Sequence, residues 1–189
     1  DPLWSRGLGD VYKRQPNAIS VMAISAAGSM YDPSAFYYMK KIATGPEAAD
    51  VIDVDASVED NIRNVAQAKQ KSVRDITVVV LDRPRHDDLQ AAIREAGAKV
   101  RLIADGDVAG AVAAAKHGNS VDLMMGIGGT PEGVITAAAM RCLGGAIQGR
   151  LWPKTDEEIA RAATGEYDTD KVLYTNDLCS SKDLSLIHI

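Results

Sequence analysis

From Ile76 to Leu143 the chain alternates β-branched apolar runs with helix-like runs, and this order constrains the fold more than any other feature. Ile76 to Leu81 (ITVVVL), Val100 to Ile103 and Val121 to Met125 read as strands, while Asp88 to Ala96, Val108 to His117 and Gly133 to Leu143 read as helices. A βαβαβα order builds a parallel sheet with helices layered over it, so the predicted class is α/β. In such a sheet the ligand lies beyond the carboxyl ends of the strands, where loops and helix N-termini converge. Three polar loops are therefore expected to share one edge.

The flanking segments are read in the same way. Asn17 to Ala27 (NAISVMAISAA) is apolar enough for a buried strand. Tyr31-Asp32-Pro33 reads as a turn, with Asp32 as N-cap and Pro33 opening a helix to about Ala43, where Gly45-Pro46 stops it. On that helix Tyr37 and Tyr38 point in different directions, so at most one joins the core and the other offers its hydroxyl to ligand or water. Val51 to Val54 is a short strand candidate, and Ser57 with Asp60 caps an amphipathic helix to about Lys71. After Gly144-Gly145 the chain turns more polar, Thr155 to Glu158 opens an acidic helix, and Val172 to Tyr174 suggests a last strand.

Bulk properties exclude several function classes. The 189 residues, 46% hydrophobic and 25% charged, suffice for a packed core, and the net charge of −5 argues against generic nucleic-acid or anionic-membrane binding. No apolar run nears the roughly 20 residues that span a bilayer, and the start lacks a signal-peptide layout. Cys142 and Cys179 lie far apart without CxxC spacing, so neither a disulfide framework nor a zinc site is supported. The expectation is a cytoplasmic chain with no nucleic-acid partner and no membrane.

The three loops each carry usable chemistry. After Leu81, Arg83 and Arg85 flank Pro84 and offer two guanidinium forks for a phosphate; alternatively they pair with Asp82, Asp87 or Asp88 in a solvated turn. After Ile103, Asp105 and Asp107 flank Gly106, where carboxylates accept hydrogen bonds from sugar hydroxyls or bind a metal; alternatively Asp107 is only an N-cap. After Met125 comes Gly126-Ile127-Gly128-Gly129-Thr130-Pro131-Glu132-Gly133. Its glycines bring N–H groups close to a ligand at a helix N-terminus, an anion cradle, although steric glycine turns look the same. Glu132 beside it can supply an oxygen to Mg²⁺ or Mn²⁺. His86 and His117 read as structural or solvent-facing. Together the loops suit a small phosphorylated, hydroxyl-rich ligand such as a sugar phosphate. A dinucleotide fits less well, because no acidic residue ends the next strand at the fingerprint distance.

At these same residues the chain resembles the class II fructose-1,6-bisphosphatases, including the bifunctional fructose-1,6/sedoheptulose-1,7-bisphosphatases. PNAISVMA, DPSAFYYMKKIATGP, RPRHDD, ADGDVA, GIGGTPEGV and GRLWP carry the likeness in order, over nearly all of residues 16–183. The resemblance implies the layered α/β fold of the lithium-sensitive phosphatase superfamily. It also implies Mn²⁺- or Mg²⁺-dependent hydrolysis of the 1-phosphate of a ketose bisphosphate, in gluconeogenesis or the Calvin cycle, by a homo-oligomer (dimer or tetramer) at full length. By motif, Tyr38 would contact substrate, Arg83, Pro84 and Arg85 would form the phosphate loop, and Asp105, Gly106 and Asp107 would read the sugar. Gly129 would give its backbone and Glu132 would ligate the metal; no catalytic residue is assigned.

The front of the chain departs from the family. Its other metal carboxylates and an Asp-Pro-(Ile/Leu)-Glu-Gly-Thr motif lie upstream of Pro16, and Trp4-Ser5-Arg6 follow Asp1-Pro2-Leu3 where Glu-Gly-Thr would stand. Residues 1–15 and 184–189 resemble adaptor-derived sequence, leaving 16–183 as the substrate-binding portion. One carboxylate is too few for metal-assisted hydrolysis, so the fragment is expected to be inactive within an active parent enzyme. The competing reading is a non-catalytic sugar-phosphate or nucleotide binding module using the same loops.

Overall fold

The computed structural model describes residues 21–181 and the backbone of 184–188. In chain order the elements are β1 (Val21–Ser25), β2 (Tyr38–Thr44), α1 (Val58–Ala68), β3 (Thr77–Leu81), α2 (Asp87–Glu95), β4 (Lys99–Ile103), α3 (Asp107–Ala115) and β5 (Leu123–Gly129). There follow α4 (Thr130–Leu143), β6 (Ala146–Leu151), α5 (Asp156–Ala163), β7 (Leu173–Tyr174), α6 (Thr175–Leu178) and β8 (Leu184–His188). Six strands form one sheet in the order β4-β3-β5-β2-β6-β7. Strands β4, β3 and β5 run parallel as the alternation predicts, whereas β2, β6 and β7 continue the sheet antiparallel. The fold is therefore α/β with a mixed sheet.

Period-two alternation sends side chains to two cores. Val79, Met124, Met39, Ala43 and Ile147 pack with Ala111, Ala114, Ala137 and Met140 of α3 and α4 on one face. Val78, Val80, Leu123, Met125 and Ile42 pack with Ile62 and Val65 of α1 and Ile93 of α2 on the other. The capping pattern before α1 is present, with the Ser57 hydroxyl accepting the Asp60 N–H at 3.0 Å. Cys142 and Cys179 are both free thiols. Among the described residues no helix is long and apolar enough to cross a membrane.

The helix expected from Pro33 to Ala43 is not formed; its second half is β2, a central strand hydrogen-bonded on both sides. Asp32 does not cap a helix. Its carboxylate accepts the Ser34 N–H at 2.9 Å, a local turn that competes with helix initiation. Two partner strands then outweigh a helix signal that rested on Asp-Pro alone. Tyr37 and Tyr38 do not diverge as expected: Tyr37 sits at a bend just before β2, which brings the two rings together edge-on with centroids 4.8 Å apart, and neither joins the buried core.

Three smaller differences share one cause, pairing that periodicity does not reveal. Val51 to Val54 is a turn, since its backbone bonds to side chains instead of a strand: Asn61 accepts the Asp53 N–H, and Gln148 accepts the Val54 N–H while donating to the Ile52 carbonyl. Strand β6 was not foreseen, although Ile147, Gly149 and Leu151 alternate inward. Of the run expected to be a buried strand, residues 17–20 lie outside the described residues, and β1 is half-open, with Met22 and Ile24 exposed. It pairs only with β8, antiparallel, in a separate two-stranded sheet. The segment expected to be an adaptor-derived tail is thus drawn in as a strand.

Candidate active site

The parallel strands β3, β4 and β5 end at one edge, and the antiparallel strands bring further residues to it. Tyr38, at the start of β2, lies opposite Gly129, and Leu151, at the end of β6, lies opposite Met39. The Arg83-Pro84-Arg85 loop, the one expected to be a phosphate loop, therefore meets the acidic turn, the glycine segment, Tyr38 and the Trp152-Pro153-Lys154 segment at the same edge.

The glycine segment is not the loop that its sequence suggests. Strand β5 runs through it to Gly129, because β2 pairs along its whole length. The glycines are required by side chains pressed against the strand. Gly126 has φ +146°, and a Cβ there would stand 3.1 Å from His86 Nε2. A Cβ on Gly128 would stand 2.9 Å from Lys41 Cε and collide with the Asp107 carboxylate. The cradle reduces to Gly129 and the start of α4. There the Thr130 N–H is already given to the Tyr37 carbonyl at 2.8 Å, and Pro131 has none. Ladder alternation turns the N–H of Gly129 away from β2, to the same side as that of Ile127.

His86 locks the phosphate loop to this strand. Its ring is buried, Nδ1 lies 2.8 Å from the Leu81 carbonyl, and Nε2 accepts the Ile127 N–H at 2.8 Å. Two such partners fix the neutral tautomer with the proton on Nδ1. Burial pushes its pKa below the ordinary imidazole value, Arg85 and Arg83 add to the shift, and the Leu81 carbonyl opposes it, while the Ile127 N–H, which Nε2 accepts only when unprotonated, favours the neutral ring. The expectation of a structural His86 fits this geometry, and His117 is exposed beside Glu47.

The anchored loop presents its two arginines differently. Arg85 donates from Nε and Nη2 to the Ile127 carbonyl, at 3.1 and 2.8 Å, and its guanidinium stands 5.4 Å from the Tyr38 ring centroid. Arg83 pairs with Asp105 at 2.5 Å and donates to the Asp82 carbonyl at 2.7 Å, so its alternative partner is Asp105 rather than Asp87 or Asp88. Pro84 opens the short 3-10 turn between them.

In the acidic turn Gly106 is the N-cap of α3 with φ 84°, a left-handed position that favours glycine, and Asp107 stands in the first helical turn. Asp105 is half-exposed. Asp107 is buried, accepts the Val108 N–H at 3.0 Å, and pairs with Lys41 at 2.6 Å.

Sequence reasoning missed Lys41 and Lys154. Lys154 Nζ stands 4.9 Å from the Tyr38 ring centroid on an exposed side chain, so Tyr38 has two cations within cation–π range, and Trp152 meets the same ring edge-on. Glu132 occupies the third position of α4 and folds back over Gly129, and its Oε2 is buried without a hydrogen-bond partner among the described residues. A buried, unpartnered carboxylate oxygen is costly unless a cation or donor meets it. The described residues contain no group of three His, Cys, Asp or Glu able to enclose a metal.

The sequence model of one family, bacterial fructose-1,6-bisphosphatase, glpX-encoded, matches residues 6–188. The chain belongs to this family. Proteins named D-fructose 1,6-bisphosphatase class 2/sedoheptulose 1,7-bisphosphatase are among its relatives. That of Synechococcus elongatus is 40% identical over 183 residues, covering 90% of this chain and 53% of the relative. That of a Synechocystis species is 47% identical over 137 residues, covering 72% of this chain and 39% of the relative. The chain thus spans about half the length of the curated relatives it matches. Within this fructose-1,6-bisphosphatase family chain, Tyr38, Arg83, Pro84, Arg85, Gly129 and Glu132 lie at one edge of the sheet. Asp107 differs in being paired inward.

Proposed function

We propose that the protein containing this chain is a divalent-metal-dependent phosphomonoesterase that removes the 1-phosphate of fructose 1,6-bisphosphate, with sedoheptulose 1,7-bisphosphate as a second substrate. The observation that carries this reading is Glu132: a buried carboxylate oxygen without a partner, folded over Gly129 and set at the edge that also holds Arg85, Lys154 and Tyr38. Oxygen donors suit a hard cation, Mn²⁺ or Mg²⁺. Glu132 fits as one ligand, and the others would lie in the part of the relatives' length that this chain does not span. When bound, the cation neutralises phosphoryl charge and lowers the pKa of a water.

The chain's own residues bind and orient. Arg85, steadied by two donations to one carbonyl, keeps its remaining N–H groups for phosphate oxygens. Arg83 would exchange Asp105 for a phosphate, which frees that carboxylate for a sugar hydroxyl. The Gly129 N–H, turned away from β2, would donate to an oxygen of the substrate, and Tyr38 would contact it with the Arg85 and Lys154 cations at its ring. The mixed α/β layering supports placing the fold in the lithium-sensitive phosphatase superfamily. The role in gluconeogenesis or the Calvin cycle, the cytoplasmic location and the homo-oligomeric state belong to this reading. So does the adaptor origin of residues 1–15 and 184–189.

The test is phosphate release from fructose 1,6-bisphosphate with Mn²⁺. The full-length protein should release phosphate and lose activity in EDTA, while the 189-residue chain should release none. Binding without hydrolysis by the full-length protein would favour a non-catalytic binding module instead.

A further inference from the structure

Lys41 is fully buried, and its neighbours on the same face of β2, Met39 and Ala43, are buried and apolar, so its ammonium must have a use that outweighs desolvation. From β2 it shares a sheet face with Met39 and Ala43 and passes beneath Gly128 of β5, where only a glycine leaves room. Its Nζ meets two partners, Asp107 Oδ2 at 2.6 Å and the Gly129 carbonyl at 3.1 Å. Asp107 belongs to the turn expected to read the sugar, and Gly129 is the residue expected to give its backbone to phosphate.

Each partner is tied down on its far side. Asp107 Oδ1 accepts the Val108 N–H at the first turn of α3, where a carboxylate is favoured by the helix dipole. Gly129 is followed by Thr130, whose N–H is held by the Tyr37 carbonyl. The ammonium is therefore a direct link between two segments, the start of α3 after β4 and the end of β5. An ammonium with three donors can hold both at once, which an apolar side chain of equal length cannot.

We propose that Lys41 is a positioning residue that sets the spacing between the acidic turn and Gly129, and so matches the site to the distance between the sugar hydroxyls and the phosphate of a ketose bisphosphate. The inference rests on the substrate reading above. Its specific content is that Lys41 acts through Asp107 and Gly129 without touching the ligand, and that it governs affinity more than turnover.

A double-mutant cycle in the full-length protein tests it. Lys41→Met, Asp107→Asn and the double variant are compared by calorimetric titration with fructose 1,6-bisphosphate in EDTA, and by kcat with Mn²⁺. Thermal midpoints show that each variant is folded. Lys41→Met should weaken binding about tenfold, the scale of coupling between contacting residues, and leave saturated kcat within about twofold. In the Asp107→Asn background the same substitution should change affinity by less than about twofold. If Lys41→Met alone does not fold, comparing Asp107→Asn with the double variant still decides. Equal losses from Lys41→Met in both backgrounds would overturn the proposal, as would a fall in kcat at unchanged affinity. Failure of the wild-type protein to bind the bisphosphate would instead sink the substrate reading, and this inference with it.

Discussion

The stapling of the phosphate loop by His86 makes a prediction with a definite sign. In the folded protein the imidazole is held neutral between the Leu81 carbonyl and the Ile127 N–H. Protonation would put a donor on Nε2 against another donor and charge a buried ring beside Arg85. Its folded pKa is therefore depressed. The unfolded chain then binds more protons as pH falls below the ordinary value of about 6.5. The stabilisation is full above that pH and is lost as pH falls toward the folded pKa, with a limiting slope of about 1.4 kcal/mol per pH unit for one proton. His86→Ala should abolish this component. At pH 7.5 it also orphans two partly buried backbone groups, at roughly 1–3 kcal/mol each if fully desolvated, a cost of up to about 6 kcal/mol. Urea midpoints of the full-length wild-type and variant proteins at pH 7.5, 6.5 and 5.5 check both statements. The two curves should be furthest apart at pH 7.5 and converge toward pH 5.5. Parallel curves would mean that His86 titrates as in water, and the argument from the two hydrogen bonds would be wrong.

Two further outcomes follow from buried carboxylates with opposite surroundings. Glu132→Gln keeps the shape but removes the charge of the group with the unpartnered oxygen. Mn²⁺ at about 100 times its dissociation constant should stabilise the full-length wild type by about 2.7 kcal/mol, and the variant should gain much less, as read by thermal shift. Asp122, at the opposite edge of the sheet, is buried with Lys71 at 2.6 Å, Lys69 at 3.3 Å and the Thr77 N–H at 3.0 Å. Asp122→Ala should cost about 3–5 kcal/mol in urea unfolding while leaving bisphosphate affinity unchanged; a matching loss of affinity would show that the two edges are coupled.

The parallel half of the fold was legible because each of its strands contains a short apolar stretch and each is followed by a helix with its own period. β3 is buried on both faces at Val78, Val79 and Val80, and Ile76 to Leu81 announces that by composition. The antiparallel half was hidden for the opposite reason. β2 and β6 contain Lys40, Lys41, Gln148 and Arg150, which lower their apolar signal, and their identity depends on partners more than 80 residues away in sequence, such as Lys41 opposite Gly126 and β2 beside β6. Tertiary pairing overrides local propensity where strands are central.

The same distinction governs the site. Residues with usable chemistry of their own, the arginines around Pro84 and Glu132 at a helix start, could be picked out by motif because what they offer a ligand depends on the loop that carries them. Lys41 could not, since its significance appears only once β2 is a strand. Strand alternation then places an ammonium among Met39 and Ala43, on a buried face, where a charge demands a partner. The glycines of β5 carried that information in disguise. Gly126 and Gly128 read as a flexible ligand loop, whereas the structure makes them gaps cut for His86 and for the Lys41–Asp107 pair. An unexplained glycine in a strand therefore points to a side chain arriving from a neighbouring element. Here the two arriving side chains tie the phosphate loop and the acidic turn to one strand.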